Sequence, residues 1–118
     1  MKRRIAILGS TGSIGTQAVE VIEKNPSFFE IEVLTAYNNA ELLVKQALKH
    51  VPNIVVIGNE EKYDFVKEQL KNLPVKVFAG FKSISEIVEL ESIDIVLTAM
   101  VGYSGLLPTL NAIKAGKM

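Results

Sequence analysis

Short apolar runs recur along this chain at Ile5-Ala6-Ile7-Leu8, Ile31 to Ala36, Ile54 to Ile57, Val75 to Ala79 and Ile93 to Thr98. Between them lie segments whose apolar residues repeat at helical spacing, and this alternation leaves few folds open. Gln17 to Lys24 carries Ala18, Val19, Val21 and Ile22. A second helix starts at Asn38 as N-cap with Glu41 three residues on, and continues through Leu43, Val44, Ala47 and Leu48. A third follows Gly58-Asn59 with Tyr63, Val66, Leu70 and Leu73 on one face, and Ser83 to Leu90 forms a short fourth with Ile84, Ile87 and Val88 inward. Leu106 to Ala115 reads as a final helix. Asn25-Pro26-Ser27, Pro52-Asn53 and Pro74 punctuate the pattern.

Strands this short and this apolar are buried on both sides, as in a parallel sheet. The expected fold is α/β: a doubly wound, mainly parallel, Rossmann-like sheet with helices on both faces. The strand order 3-2-1-4-5 would put the first and fourth strands at the switch point, where ligands bind outside the carboxyl ends of the strands.

At that edge the chain reads Leu8-Gly9-Ser10-Thr11-Gly12-Ser13-Ile14-Gly15, directly between the first strand and the first helix. The spacing G-x-x-G-x-x-G is one residue longer in its first interval than the usual dinucleotide fingerprint. Such a turn lets the amides of Gly12, Ser13 and Ile14 face an anion that the helix dipole also favours, and Thr11 and Ser13 add hydroxyl donors. Gly15 would let the helix lie close to the first strand. The plainer alternative is that Gly9, Gly12 and Gly15 only form a tight turn.

The end of the second strand bears on which nucleotide binds, because an NAD site normally places a carboxylate there for the ribose 2′-hydroxyl. Here it reads Thr35-Ala36-Tyr37-Asn38-Asn39. No carboxylate would repel a 2′-phosphate, and Asn38 and Asn39 are able to donate to one, so the residues lean towards NADP over NAD although the usual cation is missing. Helix capping by one of the two asparagines and a surface role for Tyr37 are compatible with this. Thr98-Ala99-Met100-Val101-Gly102-Tyr103-Ser104-Gly105 follows the fifth strand at the same edge, where small residues would admit a nicotinamide ribose or merely shape a loop.

The remaining residues narrow the chemistry. Thirteen basic and thirteen acidic side chains leave no net charge across 118 residues, so no global field draws the chain to nucleic acid or to a membrane. The apolar run after Lys2-Arg3-Arg4 stops at Gly9, too soon for a signal peptide, and no run approaches a membrane span. There is no cysteine, which suits the cytoplasm and removes thiolate chemistry. His50, the lone histidine, fits a helix C-terminus better than a metal site. Glu60-Glu61 reads as an acidic first helical turn, and Tyr63, Phe65, Phe78 and Phe81 as packing groups. No catalytic or metal-ligating set stands out, and a substrate domain would have to follow Met118.

The glycine motif, together with Val101-Gly102, Gly105-Leu106-Leu107-Pro108-Thr109-Leu110, Ala112-Ile113 and Ala115-Gly116-Lys117, resembles the 1-deoxy-D-xylulose 5-phosphate reductoisomerase family. The resemblance runs along essentially the whole chain and corresponds to the N-terminal, NADPH-binding part of that subunit. It implies pyrophosphate contacts from Thr11, Gly12, Ser13 and Ile14, and further cofactor contacts around Ala99 and Met100. Tyr37-Asn38-Asn39 aligns with a family segment that is commonly Gly-Lys-Asn or Gly-Arg-Asn, so only Asn39 is kept and the cationic clasp on the 2′-phosphate is absent.

The implied reaction of the full-length enzyme rearranges and reduces 1-deoxy-D-xylulose 5-phosphate to 2-C-methyl-D-erythritol 4-phosphate with NADPH and Mg²⁺ or Mn²⁺, in non-mevalonate isoprenoid synthesis. The family's metal-binding carboxylates and substrate-phosphate contacts lie after Met118. The fragment is therefore expected to hold cofactor without turning over substrate, and the resemblance allows a homodimer for the full subunit. A free-standing nucleotide-binding regulatory module is the alternative. A different dehydrogenase with the same opening loop accounts poorly for the Val101 to Lys117 match.

Overall fold

The computed structural model describes residues 2–87 and 89–98. In chain order they form β1 (Arg3–Leu8), α1 (Ser13–Glu23), β2 (Phe29–Ala36), α2 (Ala40–His50), β3 (Ile54–Ile57), a 3₁₀ turn (Glu60–Lys62), α3 (Tyr63–Gln69), β4 (Lys76–Ala79), α4 (Phe81–Ile87) and β5 (Ile95–Thr98). The Leu106 to Ala115 helix and Val88 fall outside the described residues.

The strands make one parallel sheet of order β4-β3-β2-β1-β5. Alternate residues feed two cores. Ile5, Ile7, Leu34, Val55 and Ile57 meet Val19 and Ile22 of α1, Leu43, Val44 and Ala47 of α2, and Val66 of α3. Ala6, Leu8, Val33, Ile54 and Val56 meet Ile84 and Ile87 of α4, with Ile93. The doubly wound α/β expectation therefore holds, with three helices over one face and α4 over the other.

The strand order corrects the expectation of 3-2-1-4-5. β4 continues outward beside β3, and β5 lies against β1, so the switch point falls between β1 and β5. The side chains of β4 explain its place. Lys76 and Phe78 are exposed while Val77 and Ala79 are only half-buried, a pattern tolerable at a sheet edge but costly beside the wholly buried Ala6 to Leu8. At the other end Asp94 joins β5 to β1. Its carboxylate accepts from the Arg4 amide at 2.8 Å, and its own amide donates to the Arg4 carbonyl at 2.8 Å.

Element boundaries shift where backbone pairing outlasts apolar patterning. β1 and β2 start early because Arg3 and Arg4 pair with Phe29 and Glu30, although their side chains reach solvent. α1 begins at Ser13 rather than Gln17, which brings Ile14 and Gly15 into its first turn. Phe65 and Phe78 are exposed rather than packed, and the Phe81 side chain is not among those described. α2 ends at Val51 in the left-handed region, φ 45°, just before Pro52. Among the described residues no helix is long and apolar enough to cross a membrane.

Candidate nucleotide site

The chain leaves β1 through Gly9, whose φ of 82° is easily reached only by glycine. The Gly9 amide lies 3.1 Å from both the carbonyl and the hydroxyl oxygen of Thr35, and the Ser10 amide donates to the same carbonyl at 2.8 Å. Ser10 is wholly buried. Its hydroxyl donates to Gln46 Oε1 at 2.7 Å, and Gln46 Nε2 donates back to the Ser10 carbonyl at 2.9 Å. A reciprocal pair of buried hydrogen bonds thus ties the first glycine turn to α2, and the buried polar atoms are satisfied as burial demands.

Gly12 closes the turn by donating to the Gly9 carbonyl at 3.3 Å and stands as N-cap of α1. Having no side chain, it caps nothing, and the first turn of α1 carries no acidic residue. Helix geometry leaves the amides of Ser13, Ile14 and Gly15 without intrahelical acceptors. A Cβ on Gly15 would lie 2.0 Å from the Gly9 carbonyl oxygen and 2.7 Å from Ser10 Cα, so only glycine lets α1 approach the loop this closely. Thr11 is half-buried, whereas Ser13 and Ile14 are exposed at the helix start. The sequence-identified residues from Gly9 to Gly15 therefore come together at one helix N-terminus, a ready anion-binding geometry.

Beside this turn, β2 ends at Ala36 and leads into α2. Asn39, not Asn38, is the N-cap: its Oδ1 accepts from the Leu42 amide at 3.2 Å. The one-residue correction has a physical cause, because a cap oxygen reaches the amide three residues on and Asn38 is already engaged elsewhere. Asn38 Oδ1 accepts from Asn59 Nδ2 at 2.9 Å, and its carbonyl accepts from Lys62 Nζ at 2.8 Å. Tyr37 is exposed and rests on Gly58, where a Cβ would come within 2.5 Å of its ring. Asn38, Asn39, Ala40, Glu41, Glu61, Lys62 and Phe65 line a cleft of about 550 Å³ at this corner.

Sequence reasoning missed Thr35, Gln46, Asn59 and Lys62. Gln46 breaks the apolar face of α2, which was a readable sign of a buried polar contact, but nothing marked Ser10 as its partner. The residues Ala99 and Met100 lie outside the described residues. Thr98, the last residue of β5, is in register with Leu8 immediately before the glycine turn.

His50 sits at the C-terminal end of α2, as expected, where Nε2 lies 2.7 Å from Glu23 Oε1 and Lys49 Nζ lies 3.2 Å from the same oxygen. The Lys49 ammonium, with a smaller contribution from His50, holds the Glu23 carboxyl below its ordinary value against the opposing effect of burial. This cluster joins the C-termini of α1 and α2, at the opposite end of α1 from the glycine turn. Among the described residues no group of three His, Asp or Glu side chains converges as a metal site would require.

Residues 5–118 match the family model described as 1-deoxy-D-xylulose 5-phosphate reductoisomerase. The chain belongs to the 1-deoxy-D-xylulose 5-phosphate reductoisomerase family. It is 63% identical over 117 residues to the reductoisomerase of Phocaeicola vulgatus, covering 99% of this chain and 31% of that protein. It is 45% identical over 115 residues to the reductoisomerase of a Thermoanaerobacter species, covering 98% of this chain and 30% of that one. The chain thus spans about a third of the length of these reductoisomerases. Among solved structures, the reductoisomerase of Zymomonas mobilis in complex with NADPH superposes with a TM-score of 0.93 at 32% identity, over 99% of this chain and 31% of that one. A reductoisomerase complex with NADPH, fosmidomycin and magnesium superposes equally well, at 0.93 and 31% identity, over 98% of this chain and 28% of that one.

Proposed function

We propose that these 118 residues are the NADPH-binding domain of a 1-deoxy-D-xylulose 5-phosphate reductoisomerase. The observation that carries the reading is the first turn of α1, uncapped, free of carboxylates and brought by Gly15 against the Gly9-Ser10 loop at the end of β1. Structural relatives bound to NADPH support it.

In this reading Gly9, Thr11, Gly12, Ser13, Ile14 and Gly15 hold the pyrophosphate on backbone amides and the hydroxyls of Thr11 and Ser13. Each favourable charge–dipole contact at a helix N-terminus contributes on the order of 0.3–1 kcal/mol. Tyr37, Asn38 and Asn39 border the adenosine end, and Ala99 and Met100 the nicotinamide end. The Ser10–Gln46 pair keeps the turn from collapsing or drifting, so its amides are oriented before ligand arrives, which reduces the ordering cost of binding.

When bound, NADPH supplies the hydride that reduces the rearranged 1-deoxy-D-xylulose 5-phosphate to 2-C-methyl-D-erythritol 4-phosphate in cytoplasmic isoprenoid synthesis. The described residues offer no donor set for Mg²⁺ or Mn²⁺, and no step through a metal is assigned to them. We place substrate binding, metal binding and the rearrangement in the parts of the family's subunit that this chain does not span.

Calorimetric titration of the folded chain with NADPH and NADH tests the cofactor role. Binding with preference for NADPH is expected, and no binding of either at millimolar concentration would refute it. Adding 1-deoxy-D-xylulose 5-phosphate and Mg²⁺ with NADPH is expected to give no sustained oxidation. Continuous turnover would show that the chemistry had been misplaced.

A further inference from the structure

The end of β2 lacks the basic residue that a 2′-phosphate site requires, yet the fold delivers one from elsewhere. We propose that Lys62 is the cation that binds the 2′-phosphate in this chain, and therefore the residue that selects the phosphorylated dinucleotide. The inference rests on the nucleotide reading above.

Lys62 Nζ donates to the main-chain carbonyl of Asn38, two residues past the end of β2. A cation from the turn after β3 therefore stands at the end of β2, where the residues Tyr37-Asn38-Asn39 carry none. An ammonium has three donors, so this single anchor at 2.8 Å aims the group and leaves two for phosphate oxygens. The 3₁₀ turn that presents Lys62 is itself fastened to the strand end. Asn59 donates its amide to the Tyr37 carbonyl at 2.8 Å and its side-chain Nδ2 to Asn38 Oδ1 at 2.9 Å. Its Oδ1 accepts from the Glu61 amide at 3.0 Å, and its carbonyl accepts from the Lys62 amide at 3.0 Å.

The neighbouring groups agree in sign with the assignment. Because Asn38 Oδ1 and Asn39 Oδ1 are both engaged as acceptors, each amide presents its NH₂ as the remaining donor group. The N-terminus of α2 adds positive potential at the same corner. Glu41 and Glu61 also line the cleft and oppose an anion. Both are exposed, so water and salt screen them, whereas a phosphate held by Lys62 is in direct hydrogen-bond contact. Lys49 and Lys71 are neutralised by Glu23 and Glu68, but among the described residues Lys62 makes no ion pair. Its charge remains available to a ligand.

The test compares NADPH and NADH dissociation constants for the wild-type chain, Lys62→Gln, Lys62→Arg and, as a surface control, Lys71→Gln, with thermal melting of each. Lys62→Gln is expected to weaken NADPH roughly tenfold to a hundredfold, the effect of losing a charge-assisted hydrogen bond. NADH affinity should stay within about twofold, since it has no phosphate for the lysine to meet. Lys62→Arg should restore most of the preference, Lys71→Gln should leave it intact, and the salt dependence of NADPH binding should flatten in Lys62→Gln. Equal losses for NADPH and NADH would overturn the proposal by showing that Lys62 only props the turn. No loss for either would overturn it as well. In both cases wild-type binding leaves the nucleotide reading standing, whereas a wild-type chain that binds neither dinucleotide removes both.

Discussion

Replacing Gly15 by alanine isolates the close approach on which the candidate site depends. The added methyl would stand 2.0 Å from the Gly9 carbonyl oxygen, 2.7 Å from Ser10 Cα and 2.8 Å from the Ser10 carbonyl carbon. Unstrained carbon contacts lie near 3.5–4.0 Å, so relief needs a displacement of more than about 1 Å. Every obstructing atom is backbone. Gly9 and Ser10 are held by Thr35, and Ser10 also by Gln46, so the loop resists and α1 must move. Overpacking of this kind costs about 1–3 kcal/mol, against a gain of at most about 1 kcal/mol from replacing glycine in a helix. A net loss of about 1–2 kcal/mol corresponds to a fall in Tm of roughly 4–8 °C for a domain of this size.

Gly12→Ala is the control. A Cβ there would lie 3.8 Å from the Gly9 carbonyl oxygen, an ordinary contact, on an extended residue with φ of −79°. Its Tm is expected to stay within about 2 °C of wild type, as a change near 0.5 kcal/mol implies. Thermal unfolding followed by circular dichroism reads both variants. A Gly15→Ala protein that melts at or above the wild-type temperature, or together with Gly12→Ala, would refute the argument from close approach.

Gln46→Leu should keep the helix but leave the buried Ser10 carbonyl without its donor, while the Ser10 hydroxyl still has the Thr35 carbonyl at 3.3 Å as acceptor. A loss of about 1–3 kcal/mol is expected from the one buried acceptor left unmet, read as a lower urea midpoint with an unchanged slope; a midpoint equal to wild type would contradict it. Acid stability carries the mark of Asp94, whose carboxyl is held below its ordinary 3.8 first by the Arg4 amide and then by the Arg4 side chain. A folded value below the unfolded one gives stabilisation that is fully present above the ordinary value and disappears as pH falls through the folded one. Asp94→Asn should therefore lower stability at neutral pH and flatten its decline below about pH 4. Parallel curves for variant and wild type in chemical denaturation would sink that attribution.

Much of the fold was legible because its signals are local. The five apolar runs and their intervening helices survive in the structure with shifted ends, since side-chain periodicity follows directly from backbone geometry. The shifts occur where Arg3, Arg4, Phe29 and Glu30 pair through backbone while their side chains leave the core, which a hydrophobic pattern does not register. The strand order was less accessible. Placing β4 beside β3 and β5 beside β1 depends on which pairs close across long stretches of chain, and only Lys76 and Phe78 hinted that β4 belongs at an edge.

The candidate site divides in the same way. Gly9, Gly12 and Gly15 announced a strand-to-helix turn because the conformations and contacts they permit are properties of glycine itself. Two adjacent asparagines at the start of α2 were indistinguishable as caps until Asn59 claimed Asn38, leaving Asn39 to the helix. By itself the amino-acid order determined an α/β chain with a glycine turn fit for an anion and a strand end without a carboxylate. Only the tertiary structure decided that Gln46 locks Ser10 and that Lys62, 24 positions beyond Asn38, supplies a charge there. Hydrogen bonds between distant residues carry no periodic trace in the sequence; they exist only once the sheet has brought the ends of β2 and β3 side by side.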